Sequence, residues 1–173
     1  MTIFETSRLT AAEVSEDDIA ELLDVHLSNQ AYLDLTEGSA GVAGAYDRGM
    51  LERDLAMSAM TPGRHTCALR LRQRGTCVGV LDWIDENPND GAPWIGLVMV
   101  HAGHQRRGIG ADAIAGLAEH GRTLGWTRLR EGVIDGNDAG MALALALGMR
   151  EVERKPHRIA AGECELAVME LAL

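Results

Sequence analysis

Aromatic residues are scarce in this 173-residue chain, at 3%: one Phe, two Tyr and three Trp. Leu, Val, Ile, Met and Ala must therefore fill the interior. Basic residues are also short: 16 Lys and Arg against 26 Asp and Glu give a formal net charge of −10. That deficit argues against nucleic acid as the main partner, because neutralising phosphates needs a surplus of cations. A negative surface can draw in a cationic amine or simply keep the chain soluble, and composition does not choose between the two. Cysteine is limited to Cys67, Cys77 and Cys164. The number is odd and the spacing fits no common zinc pattern, so neither a disulfide framework nor a metal site is expected. Cys67 and Cys77 lie in apolar alternating runs and read as small buried hydrophobes. No stretch approaches the roughly 18 apolar residues of a membrane span. Met1-Thr2-Ile3-Phe4-Glu5 is not a basic segment leading into an apolar one, so no signal peptide is expected. The expected location is the cytoplasm. Linkers, repeats and low-complexity tracts are missing too, and residues 1–173 are expected to form one domain.

What is present is a change of period along the chain. Ser15-Glu16-Asp17-Asp18 reads as an N-cap with an acidic first turn, and Ile19, Leu22, Leu23 and His26 follow at helical spacing. Gly38, Gly41 and Gly44 mark a loose connection. Tyr46, Met50, Leu51, Leu55 and Ala59 predict a second helix, closed by Thr61-Pro62-Gly63. Then Cys67, Leu69 and Leu71 alternate with Ala68, Arg70 and Arg72, a strand with one buried face. Gln73-Arg74-Gly75 turns the chain into a second strand through Asp85, giving a hairpin. Asn87-Pro88-Asn89-Asp90-Gly91 is a surface loop. Trp94 to Val100 is a near-continuous apolar run, as in a central strand covered on both faces. A helix follows through Leu124, with Gly125 at its end, then a strand over Thr127 to Ile134. Asn137 caps a short helix ended by Gly148. Met149 to Glu153 and Cys164 to Leu171 predict the last two strands. The order implies a mixed α/β fold.

The segment richest in chemistry joins the central strand to its helix. After Val100 comes His101-Ala102-Gly103-His104, then Gln105-Arg106-Arg107-Gly108-Ile109-Gly110. A helix N-terminus carries unpaired N–H groups and partial positive charge, which suits an anion. Gly108 and Gly110 have no side chain to hold a phosphate off the backbone, and Arg106 and Arg107 add formal charge. A diphosphate site is the reading, with a ligand-free glycine turn as the plain alternative. Gly108-Ile109-Gly110-Ala111-Asp112-Ala113 also satisfies the loose dinucleotide pattern, with Glu131 downstream. Against a Rossmann domain, His101 to Arg107 separate strand from glycines and about 100 residues precede the motif, which usually opens its domain.

These residues resemble a known family. Val98-Met99-Val100, four residues, then Gln-x-x-Gly-x-Gly is similar to motif A of the GNAT N-acetyltransferases. Asn137, with Gly148-Met149 eleven residues later, resembles their motif B. The resemblance is strongest from Thr76 to Val152. It implies a mixed, mostly antiparallel sheet with a V-shaped splay between two central strands, flanked by about four helices. It implies acetyl-CoA as acyl donor and no metal. Backbone groups of Val98, Met99 and Val100 would pair with the acetyl and pantetheine part. Gln105, Arg106, Arg107, Gly108, Ile109, Gly110 and Ala111 would form the diphosphate loop, and Asn137 would touch the cofactor arm or simply cap its helix. Many members carry a Tyr seven residues after that Asn as the acid for the leaving thiolate; here Ala144 stands there.

The implied reaction is attack of a neutral amine on the thioester in a ternary complex. An N–H near Val100 would polarise the carbonyl, and a base would take the amine proton. Asp82, Glu131 and His101 are the candidate bases, each with a surface or structural role as the alternative. His104 reads as a loop residue beside the phosphates. Trp83 and Trp94 line an acceptor pocket or pack the core. Tyr32 or Tyr46 could replace the missing acid. The expected acceptor is a primary amine of a small molecule. A protein N-terminus or Lys, and a CoA-binding module without turnover, are the other readings. A dimer is common in that family, and only this analogy supports a homodimer here.

Overall fold

The computed structural model describes residues 1–38 and 46–173. Gly41 and Gly44 of the expected connection lie outside the described residues. The chain opens with two strands that its periodicity did not announce, β1 (Thr2–Glu5) and β2 (Leu9–Glu13). They are too short for alternation to stand out, and only Phe4, Leu9 and Ala11 are buried in them. Helix α1 spans Ile19–Leu27 behind a 3₁₀ turn at Glu16–Asp18, where Ser15 N–H donates to Asp18 Oδ2 at 2.7 Å. Helix α2 (Gln30–Glu37) is a third unannounced element, with Leu33 as its one buried residue. Helix α3 (Arg48–Met60) starts where Asp47 Oδ1 accepts the Met50 N–H at 2.8 Å and stops before Thr61-Pro62-Gly63, as expected.

Strands β3 (Arg64–Leu71) and β4 (Cys77–Ile84) form the expected hairpin. Strand β5 is Trp94–Val100, helix α4 Ile109–Thr123, strand β6 Arg128–Ile134 and helix α5 Asp138–Ala146. The last two strands, β7 (Arg150–Ile159) and β8 (Gly162–Ala172), run longer than their apolar cores predict. Their extra length comes from pairing with each other rather than from burial, since most of β7 is exposed.

All eight strands form one sheet in the order β1-β2-β3-β4-β5-β6-β8-β7, antiparallel except at β5–β6. Helices α4 and α5 cover one face over Leu9, Leu69, Leu81, Trp83 and Leu129. Helices α1 and α3 cover the other over Ala68, Val80 and Met99. The apolar run of β5 follows from this sandwiching: Val98 and Val100 pack on the first cluster and Leu97 and Met99 on the second. Each fully buried Leu contributes about 1.5–3 kcal/mol. With so few rings, aliphatic side chains supply most of that interior, as composition predicts.

Candidate active site

The site begins with one extra residue in β5. Asp82 of β4 pairs with Leu97, but the next residue, Trp83, pairs with Ile95, so Gly96 bulges out of the ladder. A bulge bends its strand and breaks the alternation of backbone groups. Below Gly96, β5 is paired with β6 at Trp94–Arg130 and Ile95–Glu131. Above it the ladder ends and the two strands diverge as a V. His101 N–H bonds Val78 O at 2.9 Å, so the odd residues beyond the bulge face β4. Val98 N–H and C=O and Val100 N–H are thereby turned toward the gap. The carbonyl of Val100 accepts from Gln105 Nε2 at 2.9 Å and from Asn29 Nδ2 at 3.1 Å.

The gap opens into a cleft of about 780 Å³. Its lining includes Tyr32, Val98, Met99, Val100, Glu131 and Asn137, together with Gln105, Arg106 and Gly108 to Ala111. Arg107 is not part of that lining. At the rim Gly108 takes φ 77° and precedes α4 without a side-chain cap. Asp112 N–H is the first to bond inside the helix, to Gly108 O at 3.0 Å. The N–H groups of Ile109, Gly110 and Ala111 are thus left for an outside acceptor. A Cβ on Gly110 would sit 3.2 Å from Leu143 Cδ2, a tight approach to which the Leu143 side chain would have to yield.

The candidate bases separate cleanly. Glu131 lines the cleft where the V closes, only 6% exposed, and its Oε1 is buried with no hydrogen-bond partner among the described residues. Burial pushes its carboxyl up to about 7. Asp82 does not line the cleft. It is buried against Arg64 Nη2 at 2.9 Å and accepts from Thr66 Oγ1 at 2.6 Å and Ser58 Oγ at 3.1 Å, so its oxygens are committed to the fold. His101 is outside the cleft as well. Its Nδ1 accepts from Gly103 N–H at 3.0 Å, and Nε2 lies 3.2 Å from Asp24 Oδ2, which leaves no free ring nitrogen for an acceptor amine. His104 sits in the 3₁₀ turn Ala102–His104, away from the lining.

Asn137 lines the cleft and also caps α5, accepting Gly140 N–H at 3.0 Å. Ala144 is fully buried in the main core and absent from the lining. Of the two tyrosines, Tyr32 reaches the cleft, and burial raises its phenol. Tyr46 instead donates to Asp54 at 2.8 Å and stacks on His26. Trp83 is core, at 1% exposed. Trp94 lines a second recess of about 530 Å³ that shares Ile95, Gly96 and Gly132 with the first. Cys67 and Cys77 are buried, and burial pushes the Cys67 thiol up to about 12, so it is no nucleophile.

The residues that brace the loop from a distance leave little mark in the sequence. Ser28 Oγ accepts Ala102 N–H at 3.0 Å and Asn29 Oδ1 accepts Gln105 Nε2 at 2.6 Å. Arg8 Nη2 donates to Arg107 O at 2.8 Å, and Thr6 Oγ1 donates to Asp112 Oδ2 at 2.6 Å. A polar pair after an apolar helix face is the only trace of the first set in the sequence.

Comparison with known proteins gives the family and the fold. The family model described as an acetyltransferase (GNAT) domain matches residues 8–150. The fold is similar to that of an acetyltransferase from Thermus thermophilus, at 24% identity and TM-score 0.74, covering 100% of both chains. It is similar to the Salmonella typhimurium acetyltransferase that modifies the N-terminal serine of ribosomal protein L7/L12, at 14% identity and TM-score 0.80, covering 97% of this chain and 96% of that one. It is also similar to RimL, a ribosomal L7/L12 α-N-protein acetyltransferase solved with coenzyme A, at 14% identity and TM-score 0.80, covering 100% and 98%. No curated protein matches the sequence.

Proposed function

The chain belongs to the GNAT acetyltransferases, and from that premise we propose that it moves the acetyl group of acetyl-CoA to the primary amine of a small molecule, with Glu131 as the base. The observation that carries this reading is the buried, unpartnered Glu131 Oε1 beside an opened parallel ladder. The donor supplies the thioester carbonyl, and CoA thiolate is the leaving group. The residues around the cleft fit that donor. N–H groups at Ile109, Gly110 and Ala111, unpaired among the described residues, receive the diphosphate, and Arg106 adds positive charge at the rim. Val98 supplies backbone groups for the pantetheine amides, and Val100 N–H stands as donor to the oxygen that gains charge in the transition state. Asn137 lies along the cofactor arm while keeping its capping bond.

An acceptor amine is protonated near neutrality and must lose a proton before it attacks. A carboxyl raised to about 7 is suited to take that proton near neutral pH. Tyr32, kept protonated by burial, is the donor to the departing thiolate, the task that Ala144 leaves open. The recess at Trp94 meets the cleft at Gly96 and Gly132, two positions without side chains. It gives the acceptor an approach from the other face of the sheet, so that both substrates are held at once.

A second reading is an acceptor that is a protein N-terminus, favoured by the likeness to the ribosomal-protein acetyltransferases. Thiol release from acetyl-CoA separates them when small amines, N-terminal peptides and lysine peptides are offered in parallel. Small amines should accelerate release; acceleration by peptides alone would transfer the site to protein acetylation. CoA binding without acceleration by any acceptor would make the chain a binding module.

A further inference from the structure

We infer that Arg8, on the turn between β1 and β2, is a positioning residue of the phosphate-binding loop; this rests on the donor site proposed above. The loop is conformationally unusual. Arg106 has φ 59°, the one non-glycine residue at positive φ among the described residues, and Gly108 has φ 77°. Gly108 takes this conformation freely, but Arg106, two positions before it, needs outside support to persist there. Arg8 gives that support through Arg107, the residue between them, whose carbonyl takes the Arg8 Nη2 hydrogen at 2.8 Å. The Arg107–Gly108 peptide is planar and trans, so its carbonyl and the Gly108 N–H point in opposite directions. Pinning the carbonyl to Arg8, which does not line the cleft, aims that N–H away from the β1–β2 turn, while Gly108 itself lies on the cleft wall.

The turn that carries Arg8 is itself fixed. Thr6 Oγ1 accepts from Arg8 N–H at 3.1 Å and Leu9 N–H at 2.9 Å, and donates to Asp112 Oδ2 at 2.6 Å in the first turn of α4. One short segment therefore grips both the loop and the helix that follows it, about 100 residues away in sequence. Arg8 Nη1 also lies 3.3 Å from where a Cβ on Gly108 would be, so the guanidinium sits against the bare face of that glycine.

The test is CoA binding by calorimetry, with steady-state kinetics, for the wild type, Arg8→Met, Arg8→Lys and Thr6→Val. Arg8→Met should raise the CoA Kd and the acetyl-CoA KM about tenfold, as expected for losing one charge-assisted hydrogen bond, with kcat and acceptor KM within about twofold. Arg8→Lys should recover part of the affinity, and Thr6→Val should lose a smaller part by loosening the same turn. Without CoA, amide exchange in Arg8→Met should quicken at residues 106–111 and stay unchanged in β3 and β4. A CoA Kd unchanged in both Arg8→Met and Thr6→Val, with wild type binding normally, overturns the inference alone. A wild type that does not bind CoA overturns the donor site, and this inference with it.

Discussion

Glu131 holds a carboxyl in a place where a charge is expensive and a proton is useful. Burial raises it to about 7, well above its ordinary 4.5, so the folded state binds a proton that the unfolded state has released. Between about 4.5 and 7 folding therefore becomes less favourable as pH rises, and above 7 the loss is complete. Glu131→Gln removes the charge while keeping the shape. It should leave the melting temperature unchanged near pH 4.5 and raise it at pH 8, by up to about 3 kcal/mol of unfolding free energy. The same substitution should lower kcat by roughly 10²–10⁴. Wild-type kcat/KM should climb with pH through an apparent pKa near 7 that the variant lacks. A variant less stable than wild type at pH 8, or fully active, would show that the carboxylate is paired and idle. Ala144 teaches a related point. The motif made its missing phenol conspicuous, but in the fold the position is closed core, and a second tyrosine, Tyr32, faces the cleft from a helix the pattern did not announce.

Among the elements, the bulge in β5 turns an ordinary strand into half of a binding site. A Cβ on Gly96 would lie 2.5 Å from Asp82 Oδ1 and 3.3 Å from Arg64 Nη2. That carboxylate cannot easily yield, because Arg64, Thr66 and Ser58 all hold it. Gly96→Ala should therefore cost on the order of 2 kcal/mol and lower the urea midpoint with the slope unchanged. An unchanged midpoint would mean that the carboxylate moves freely and that the bulge does not depend on it. Much of this level is legible in the sequence. The β3–β4 hairpin, the β5–loop–α4 unit and the Asn137 cap are local, and local pattern and spacing announce them. The V was expected only from resemblance, since the bulge that opens it is a mismatch in pairing, which no single strand's pattern records. Asp82 and His101 are candidate bases in the sequence because it shows a titratable residue but not what occupies its oxygens or nitrogens. Arg8 and Asn29 stayed invisible for a similar reason: their partners, the Arg107 carbonyl for Arg8 and the Val100 carbonyl and Gln105 side chain for Asn29, lie far along the chain.

At the scale of the molecule, the sheet is two sheets joined at one short seam. Strands β1 to β5 form one arm and β6, β8 and β7 the other, and their ladder consists of the pairs Trp94–Arg130 and Ile95–Glu131. Helix α2 reaches across the fork: Tyr32 packs with the α1–α3 cluster and Leu35 with Ile134, Leu166 and Val168. A ligand wedged above the seam would touch Val98 to Val100 on one arm and Glu131 to Val133 on the other, so it would tie the arms together only while both are folded. Binding to the folded state alone stabilises by mass action, about 2.7 kcal/mol at a hundredfold excess over Kd. For a chain of this size that corresponds to a rise of roughly 5–10 °C in melting temperature. Coenzyme A should produce this rise, and should slow amide exchange at the free ends of both β5 and β6 while leaving β7 unaffected. A melting temperature indifferent to CoA, or protection confined to one arm, would mean that nothing bridges the V, and acyl transfer in this cleft would lose its geometry.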